Sequence, residues 1–153
     1  MSKKFHEGKK HGYIASGIFS NFNDLKKSKI DWYRHSIKKT LKSSDIFWAN
    51  TKELLHSEYV IADLSTNDSS VYYELGIAWA INYVRDILKR NNKQAVELLE
   101  KYRITNKKII GIVKDKEKIT NKCILGGIED QGQIVRDFDK VDEILKKINK
   151  ENK

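Results

Sequence analysis

The fold is decided by one stretch of the chain, Tyr59-Val-Ile-Ala-Asp-Leu-Ser-Thr-Asn-Asp-Ser-Ser-Val-Tyr-Tyr-Glu-Leu-Gly-Ile-Ala78. Its first four residues are an apolar, partly β-branched run, which predicts a central strand that ends at Asp63. A polar loop follows, and Asp68 with the two serines after it is a favourable start for a helix. Apolar residues then lie on or near one stripe through residues 69–89, which predicts a helix packed on the sheet. A buried strand that leads through a loop into a helix is typical of α/β proteins.

The rest of the chain repeats this alternation of strands and helices. Short apolar runs predict strands, and apolar residues at helical spacing predict helices. Such alternation indicates a flavodoxin-like or Rossmann-like, doubly wound α/β fold, with a mostly parallel five-stranded sheet and helices on both faces. The further predicted elements are a strand at residues 13–18, a helix at 24–42, a second strand or a helix entry at 45–49, a helical turn at 51–57, a charged helix at 93–103, strands at 109–113 and 134–135, and a closing helix through 141–148.

Length and cysteine content limit the class of protein. The chain has 153 residues, and we expect one domain at residues 12–150 behind a loose basic N-terminus at residues 1–11. The single cysteine, Cys123, excludes a disulfide framework and a multi-cysteine metal site, and we expect it to be buried. No secretory signal is visible, and no apolar run reaches the roughly 18 residues that a membrane span needs. We therefore expect a cytoplasmic protein with no membrane partner.

The chain is basic, with a formal net charge of +9 from 30 basic and 21 acidic residues. A positive charge suggests nucleic acid as a partner. Only five of the basic residues are arginine, however, and arginine is the residue that binds phosphates and guanine edges in a bidentate manner. The lysines are spread along the whole chain. We therefore interpret the charge as a solvated lysine surface and expect no nucleic-acid partner; RNA binding through that surface is the competing interpretation.

Standard catalytic motifs are absent from the sequence. It has neither a G-x-x-x-x-G-K-[ST] loop nor G-x-G-x-x-G, which are the usual phosphate cradles. The four histidines show no metal-ligand spacing, and no serine lies in a nucleophile elbow. These absences direct attention to the carboxylates that follow the predicted central strand.

Two carboxylates stand at the start of the helix predicted for residues 69–89. Ligands of parallel α/β sheets bind beyond the carboxyl ends of the strands, and Glu74 follows Asp68 by six residues, so both can face that crevice. Paired carboxylates suit glycosidic chemistry, in which one attacks the anomeric carbon and the other assists the leaving group. Gly76 is expected to let the helix pack closely on a strand. The competing interpretation is a solvated helix N-terminus, where acidic residues are favoured in any case.

The same segment resembles the nucleoside 2-deoxyribosyltransferase family. That family carries a signature close to D-S-G-T-x-x-E-L-G-Y-A, and this chain has D-S-S-V-Y-Y-E-L-G-I-A from Asp68 to Ala78. The resemblance implies that Glu74 is the nucleophile and that Asp68 works at the base. It covers most of the chain in order, from about residue 12 to residue 145.

Three further segments carry the resemblance. Tyr13-Ile-Ala-Ser-Gly-Ile-Phe19 is similar to the family's first strand, whose tyrosine hydrogen-bonds the nucleophile, and we expect Phe19 to stack on the base. Asn50 takes the place of an Asp or Asn that lines the pocket. Asn121 opens N-K-C-I-L-G, similar to the family's N-L-M-x-x-G, whose asparagine binds the sugar in a neighbouring subunit's site. The implied catalytic residues are Glu74, Asp68 and Tyr13, and the implied substrate-binding residues are Gly17, Phe19, Asn50, Asp63, Ser69 and Asn121.

The resemblance implies an enzyme that cleaves the N-glycosidic bond of 2′-deoxynucleosides. Glu74 would form a covalent deoxyribosyl intermediate, from which a second base takes the sugar. No metal and no organic cofactor is expected, because the leaving base is a stabilised heterocycle. The expected partners are a small-molecule nucleoside and a nucleobase. The chain's three tryptophans, large for a small domain to bury alone, and the resemblance together predict a homodimer or a higher homo-oligomer.

Two other functions stay open on the sequence. A deoxynucleoside 5′-monophosphate N-glycosidase, which is a hydrolase, resembles the chain equally at E-L-G. Ser69 and Ser70 keep this hydrolase open, although a carboxylate at Asp68 repels a phosphate. The other function is a non-catalytic nucleotide-sensing module similar to TIR domains, since Ser70-Val71 stands where the transferase family has Gly-Thr.

Overall fold

The computed structural model describes residues 10–15, 30–34, 42–65, 68–114 and 122–151. Five strands and five helices lie in these ranges. The strands are β1 (Lys10–Ala15), β2 (Ile30–Arg34), β3 (Tyr59–Asp63), β4 (Lys108–Ile112) and β5 (Gly132–Val135). The helices are α1 (Ser43–His56), α2 (Ser69–Asn91), α3 (Lys93–Lys101), α4 (Lys122–Gln131) and α5 (Phe138–Glu151).

The five described strands form one parallel sheet in the order β2-β1-β3-β4-β5. This is the strand order of flavodoxin-like proteins, in which the direction of winding reverses between β1 and β3. β3 is buried along its whole length, as expected for a central strand of a sheet that is covered on both faces. The predicted doubly wound α/β fold is confirmed.

Helices cover both faces of this sheet. Alternate strand residues point to opposite faces, so Tyr13 and Val60 pack with residues of α1, α2 and α4 on one face. Ile14 and Ile61 pack with Leu145 of α5 on the other face. All five side chains are excluded from solvent, and burying an aliphatic side chain in this way contributes about 1.5–3 kcal/mol. Among the described residues, no helix combines the length and the apolar character that crossing a lipid bilayer requires.

The helix predicted for residues 24–42 is wrong where the structure describes that interval, because Ile30–Arg34 is a strand. This strand pairs in parallel with β1, and Gly12 lies opposite Trp32. A Cβ atom at Gly12 would lie 2.3 Å from Cε3 of Trp32, so glycine is the residue that leaves room for the indole ring. The apolar spacing misled the prediction, since the aromatic and β-branched side chains of this segment also favour strands. The rest of the interval, up to residue 41, lies outside the described ranges.

The first helix and the first strand also differ in extent from their predictions. Residues 45–49, for which the sequence left a strand and a helix entry open, lie in α1, and this helix includes most of the turn predicted at 51–57. β1 begins at Lys10, which pairs with Ile30 of β2, so residues 10 and 11 are not part of a loose N-terminus. Residues 1–9 lie outside the described ranges.

The connection from α3 to β4 is held by a buried arginine of α2. Arg85 donates hydrogen bonds to Oδ1 of Asn106 (2.8 Å), to the carbonyl of Ile104 (2.6 Å) and to Oε1 of Glu100 (3.0 Å). Glu100 and Asn106 are exposed residues, whereas Arg85 itself is buried. The Arg85 side chain therefore ties the charged segment after α2 to the rest of the fold.

Lys107 lies at the amino end of β4, next to this arginine. The residue is 3% exposed, and its Nζ donates to the carbonyls of Leu55 (2.6 Å) and Ser57 (2.5 Å) at the C-terminal end of α1. Asn82 holds its backbone, accepting from the Lys107 N–H at 2.6 Å and donating to the Lys107 carbonyl at 3.0 Å. Burial lowers the pKa of the Lys107 amine to about 7, and the charge of Arg85 acts in the same direction. The amine thus donates hydrogen bonds to carbonyls that have no partner within the helix, because they lie at its C-terminal end.

Candidate active site

The carboxyl end of β3 carries the first acidic residue that the sequence predicts for the site. Asp63 ends the strand and is 4% exposed. Its Oδ1 accepts hydrogen bonds from the backbone N–H of Ser65 (3.0 Å) and from Ser65 Oγ. The carboxylate therefore closes a turn at the end of the strand, which is a common structural use of aspartate. A substrate-binding role for Asp63 stays a prediction.

Asp68 is the N-cap of α2, as the sequence predicts. Its Oδ1 accepts hydrogen bonds from the backbone N–H of Ser70 (2.9 Å) and from Ser70 Oγ (2.7 Å). Ser69 is the first helical residue and is exposed. A carboxylate at this position also interacts favourably with the positive end of the helix dipole. These two hydrogen bonds stabilise the start of the helix, and the role of Asp68 at the base stays a prediction.

Glu74 lies in the second turn of α2 and is 4% exposed. Tyr13 Oη donates a hydrogen bond to Glu74 Oε1 at 2.6 Å. Burial and the negative charge of Glu74 raise the pKa of the Tyr13 phenol, so this hydroxyl stays protonated and acts as a donor. A hydrogen bond to an ionised acceptor is roughly twice as strong as one between neutral groups. The structure therefore contains the tyrosine–glutamate pair that the family resemblance implies.

Tyr33 of β2 adds a contact that the sequence did not reveal. It lies opposite Tyr13 in the strand register, and the two rings stack with their centroids 5.7 Å apart. Its Oη donates to Oδ1 of Asn50 at 3.3 Å. Burial, followed by the charges of Glu53 and Glu74, raises the pKa of the Tyr33 phenol, so this hydroxyl is a donor as well. Sequence reasoning missed Tyr33 because it placed the residue on a helix.

A cavity of about 170 Å³ brings Asn50 and Glu74 together. Most of its lining is apolar with a few polar groups, which is the usual character of a small-molecule site. Two rings of the lining, those of Phe47 and Tyr73, have centroids 5.6 Å apart and are partly exposed. The described residues that line the cavity are Ser43, Ile46, Phe47, Asn50, Thr51, Leu54, Ser70, Tyr73, Glu74 and Ile77.

The sequence-predicted site residues fall into three groups. Asn50 and Glu74 line the cavity, and Tyr13 bonds Glu74 without being part of the lining. Asp63, Asp68 and Ser69 lie at the same end of the sheet but outside the lining. Gly17, Phe19 and Asn121 lie outside the residues that the structure describes. Within the described ranges, no group of three or more His, Cys, Asp and Glu side chains is arranged to hold a metal ion.

The close packing predicted at Gly76 is wrong. Gly76 is exposed, and a Cβ atom built there meets no atom within 4 Å. It lies two residues after the buried Glu74, and two residues turn a helix by about 200°, so the two positions face opposite sides of α2. Cys123 departs from its prediction in the same way, since it is exposed in the first turn of α4.

No protein-family model matches the chain, and no curated protein sequence does either. In structure the chain is similar to a conserved protein from Enterococcus faecalis V583, known from a crystal structure, with a TM-score of 0.59 and 17% sequence identity. The similarity covers 91% of this chain and 98% of that one. At this level of identity the likeness shows the fold alone.

Proposed function

We propose that this protein cleaves the N-glycosidic bond of 2′-deoxynucleosides and transfers the deoxyribose to another nucleobase, as a nucleoside 2-deoxyribosyltransferase of nucleotide salvage. One observation carries the proposal: the buried Glu74 lines a cavity between α1 and α2 and is held by a neutral tyrosine at 2.6 Å. Burying a carboxylate is costly unless it is well bonded, and a held carboxylate in a cleft is suited to nucleophilic attack. The E-L-G resemblance supports the same assignment.

In the proposed reaction, Glu74 attacks C1′ of the sugar. The bond from C1′ to the base nitrogen breaks, its electron pair leaves with the base, and Asp68 passes a proton from water to the departing base. Tyr13 keeps its hydrogen bond to Oε1 and so orients the carboxylate. A second base then attacks C1′ and gives up its N–H proton through Asp68 to water, while the bond from C1′ to Glu74 breaks and restores the carboxylate. Water in place of the second base gives slow hydrolysis, and neither step needs a metal or an organic cofactor.

Base exchange tests this proposal directly. The protein is incubated with deoxyinosine or thymidine together with adenine, and the products are separated by chromatography. We expect deoxyadenosine from the wild type and from Glu97→Ala, which changes an exposed glutamate of α3. We expect none from Glu74→Ala. A Glu74→Ala variant that exchanges bases at the wild-type rate would refute the assignment.

A deoxynucleoside 5′-monophosphate N-glycosidase is the second candidate, and Ser70 is the observation that favours it. Ser70 lines the cavity at the N-terminal end of α2, where backbone N–H groups attract anions. Its hydroxyl, however, donates to Asp68, whose carboxylate repels a phosphate. A large preference for the monophosphate over the nucleoside would favour the hydrolase. Nucleoside binding without any turnover would instead indicate a nucleotide-sensing module.

We also propose that the protein acts in the cytoplasm as a homodimer or a higher homo-oligomer. Large apolar side chains are exposed on α2 and just after α3, including Tyr83 (65%) and Tyr102 (61%), and Trp48 of α1 is 67% exposed. Aromatic residues are enriched at subunit contacts. The resemblance adds that Asn121 completes a neighbour's site. Sedimentation at micromolar concentration tests this, and a fully active monomer would contradict it.

A further inference from the structure

Tyr33 contacts two side chains of the candidate site, those of Asn50 and Tyr13. Its hydroxyl bonds Asn50, and its ring stacks on Tyr13, which in turn bonds Glu74. Asn50 and Glu74 are also the two members of this set that line the cavity. The side chains therefore form one continuous line from Asn50 through Tyr33 and Tyr13 to Glu74.

The sheet register gives this line its geometry. Tyr13 and Tyr33 are direct neighbours on adjacent parallel strands, so their side chains lie on the same face of the sheet. A shift of one residue in β2 would turn Tyr33 to the opposite face, away from both partners. The ring alone would satisfy the apolar packing against Tyr13, so packing does not explain the hydroxyl. That hydroxyl has a defined acceptor, Oδ1 of Asn50, at 3.3 Å.

We propose that Tyr33 is a positioning residue of this site: its hydroxyl holds the Asn50 amide at the cavity wall, and its ring holds Tyr13 against Glu74. The inference rests on the proposed function and adds Tyr33 as a residue that acts through Asn50 and Tyr13. The hydroxyl and the ring of Tyr33 have separate effects. The hydroxyl supports Asn50, which contacts the ligand, whereas the ring supports Tyr13, which holds the nucleophile. The two effects belong to KM and to kcat respectively.

Two substitutions separate the hydroxyl from the ring in base-exchange kinetics. Tyr33→Phe removes only the hydroxyl, and we expect KM for the deoxynucleoside to rise about 3- to 10-fold with kcat within about twofold of the wild type. Tyr33→Leu also removes the stacking on Tyr13, and we expect kcat to fall as well. The matched control is Tyr59→Phe, which removes the hydroxyl of another strand tyrosine that packs in the cluster on the opposite face of the sheet. We expect that control to leave KM and kcat unchanged.

A double-mutant cycle with Asn50→Ala distinguishes positioning from general stabilisation. If Tyr33 acts through Asn50, Tyr33→Phe does not raise KM further once Asn50 is alanine. An equal rise in both backgrounds, or no rise in either, overturns the proposal.

The same cycle, measured as midpoints of urea unfolding, needs no enzymatic activity. We expect the effects of Tyr33→Phe and Asn50→Ala on the midpoint to be smaller together than their sum. Additive effects would show that the hydroxyl does not hold Asn50, whatever reaction the protein catalyses. Non-additive midpoints in a protein without base exchange would instead refute the proposed function and keep the contact between Tyr33 and Asn50.

Discussion

The two ends of the sheet use buried polar side chains in different ways. At the amino end, Lys107 donates to two backbone carbonyls, and Asn82 bonds the backbone of Lys107 on both sides. At the carboxyl end, Tyr13 and Tyr33 donate to the side chains of Glu74 and Asn50. The bonds of Lys107 and Asn82 therefore complete the fold, whereas those of Tyr13 and Tyr33 hold the two polar side chains of the candidate site, Glu74 and Asn50.

Cavity size alone points to the other end of the sheet. The groove at the amino ends of β4 and β5 has a volume of about 350 Å³, twice that of the cavity that Asn50 and Glu74 line. It lies on the side of the sheet where parallel α/β proteins do not bind their ligands. Its buried amine, that of Lys107, is already bonded to the end of α1. The chemistry of the lining residues therefore favours the smaller cavity as the candidate site.

The largest effect is expected from Glu74→Gln, which tests whether the carboxyl end carries the chemistry. The amide keeps the shape of the side chain and still accepts from Tyr13, but it is a poor nucleophile. We expect kcat for base exchange to fall by about 10³-fold or more, with little change in the urea midpoint. The matched control at the other end is Glu100→Gln, which removes the charge paired with Arg85. Equal losses of kcat in both variants would contradict the assignment of the chemistry to the carboxyl end of the sheet.

Lys107→Ala tests whether the amino end serves stability alone. The variant leaves the carbonyls of Leu55 and Ser57 without their donor and opens a void beside α1. We expect the free energy of unfolding to fall by about 2–4 kcal/mol, as measured by urea denaturation. Activity per folded molecule is expected to stay at the wild-type level. Lys114→Ala, an exposed lysine at the opposite end of β4, is the control and is expected to be neutral.

Tyr13→Phe tests how much the side-chain bond contributes at the carboxyl end. The substitution removes the donor to Glu74 Oε1 and keeps the ring that stacks on Tyr33. Hydrogen bonds to charged groups contribute about 1.5–3 kcal/mol, so we expect kcat to fall by about 10- to 100-fold. Steady-state kinetics with a deoxynucleoside and a free base measure the effect. Unchanged kcat would mean that Glu74 needs no orienting donor.

The amino end should also respond to pH. The Lys107 amine has a pKa of about 7 in the folded protein and its ordinary value, 10.5, in the unfolded chain. Between these values the unfolded chain binds more protons, so the free energy of unfolding rises with pH. Below about pH 7 both states are charged, and the folded state bears the full cost of burying the charge.

We therefore expect the stability of the wild type to rise from pH 7 to pH 9, by at most about 1.4 kcal/mol per pH unit, relative to Lys107→Met. Urea denaturation of both proteins across this range measures the difference. Parallel pH profiles would show that the amine keeps its ordinary pKa.

The smallest effect is expected from Gly76→Ala, close to the site but on the solvent side of α2. Alanine is favoured over glycine inside a helix, and the new Cβ meets no atom within 4 Å. We expect a gain of about 0.5–1 kcal/mol in the free energy of unfolding, with kinetics unchanged. A loss of stability would indicate a close contact on that side of the helix.

The sequence predicted the elements whose signals are local. β3, α2 and the cap at Asp68 follow from a β-branched run, an apolar stripe and an Asp-Ser-Ser start, and the structure contains all three. The bond between Tyr13 and Glu74 was predicted from a family resemblance. Their separation of 61 residues leaves no local trace of the contact.

The contacts that the sequence did not predict depend on tertiary structure. Apolar residues at helical spacing led to a helix at Tyr33, whereas pairing with β1 makes that segment a strand. Without the strand, the stacking on Tyr13 and the bond to Asn50 could not be inferred. The sequence does not distinguish Lys107 from a surface lysine, because the carbonyls that accept from its amine lie about 50 residues earlier in the chain.

The strand order also has a consequence for how the chain folds as it is synthesised. All the described residues that line the cavity belong to α1 and α2, and Tyr13 and Tyr33 precede both helices, so a ribosome has made all of these residues before it reaches α3. β3, however, pairs with β4 on one side, and β4 is made only after α3. An unpaired strand edge invites association with other chains. The nascent chain therefore already contains these residues while one edge of β3 is still exposed. That edge is covered only when Lys108–Ile112 emerges.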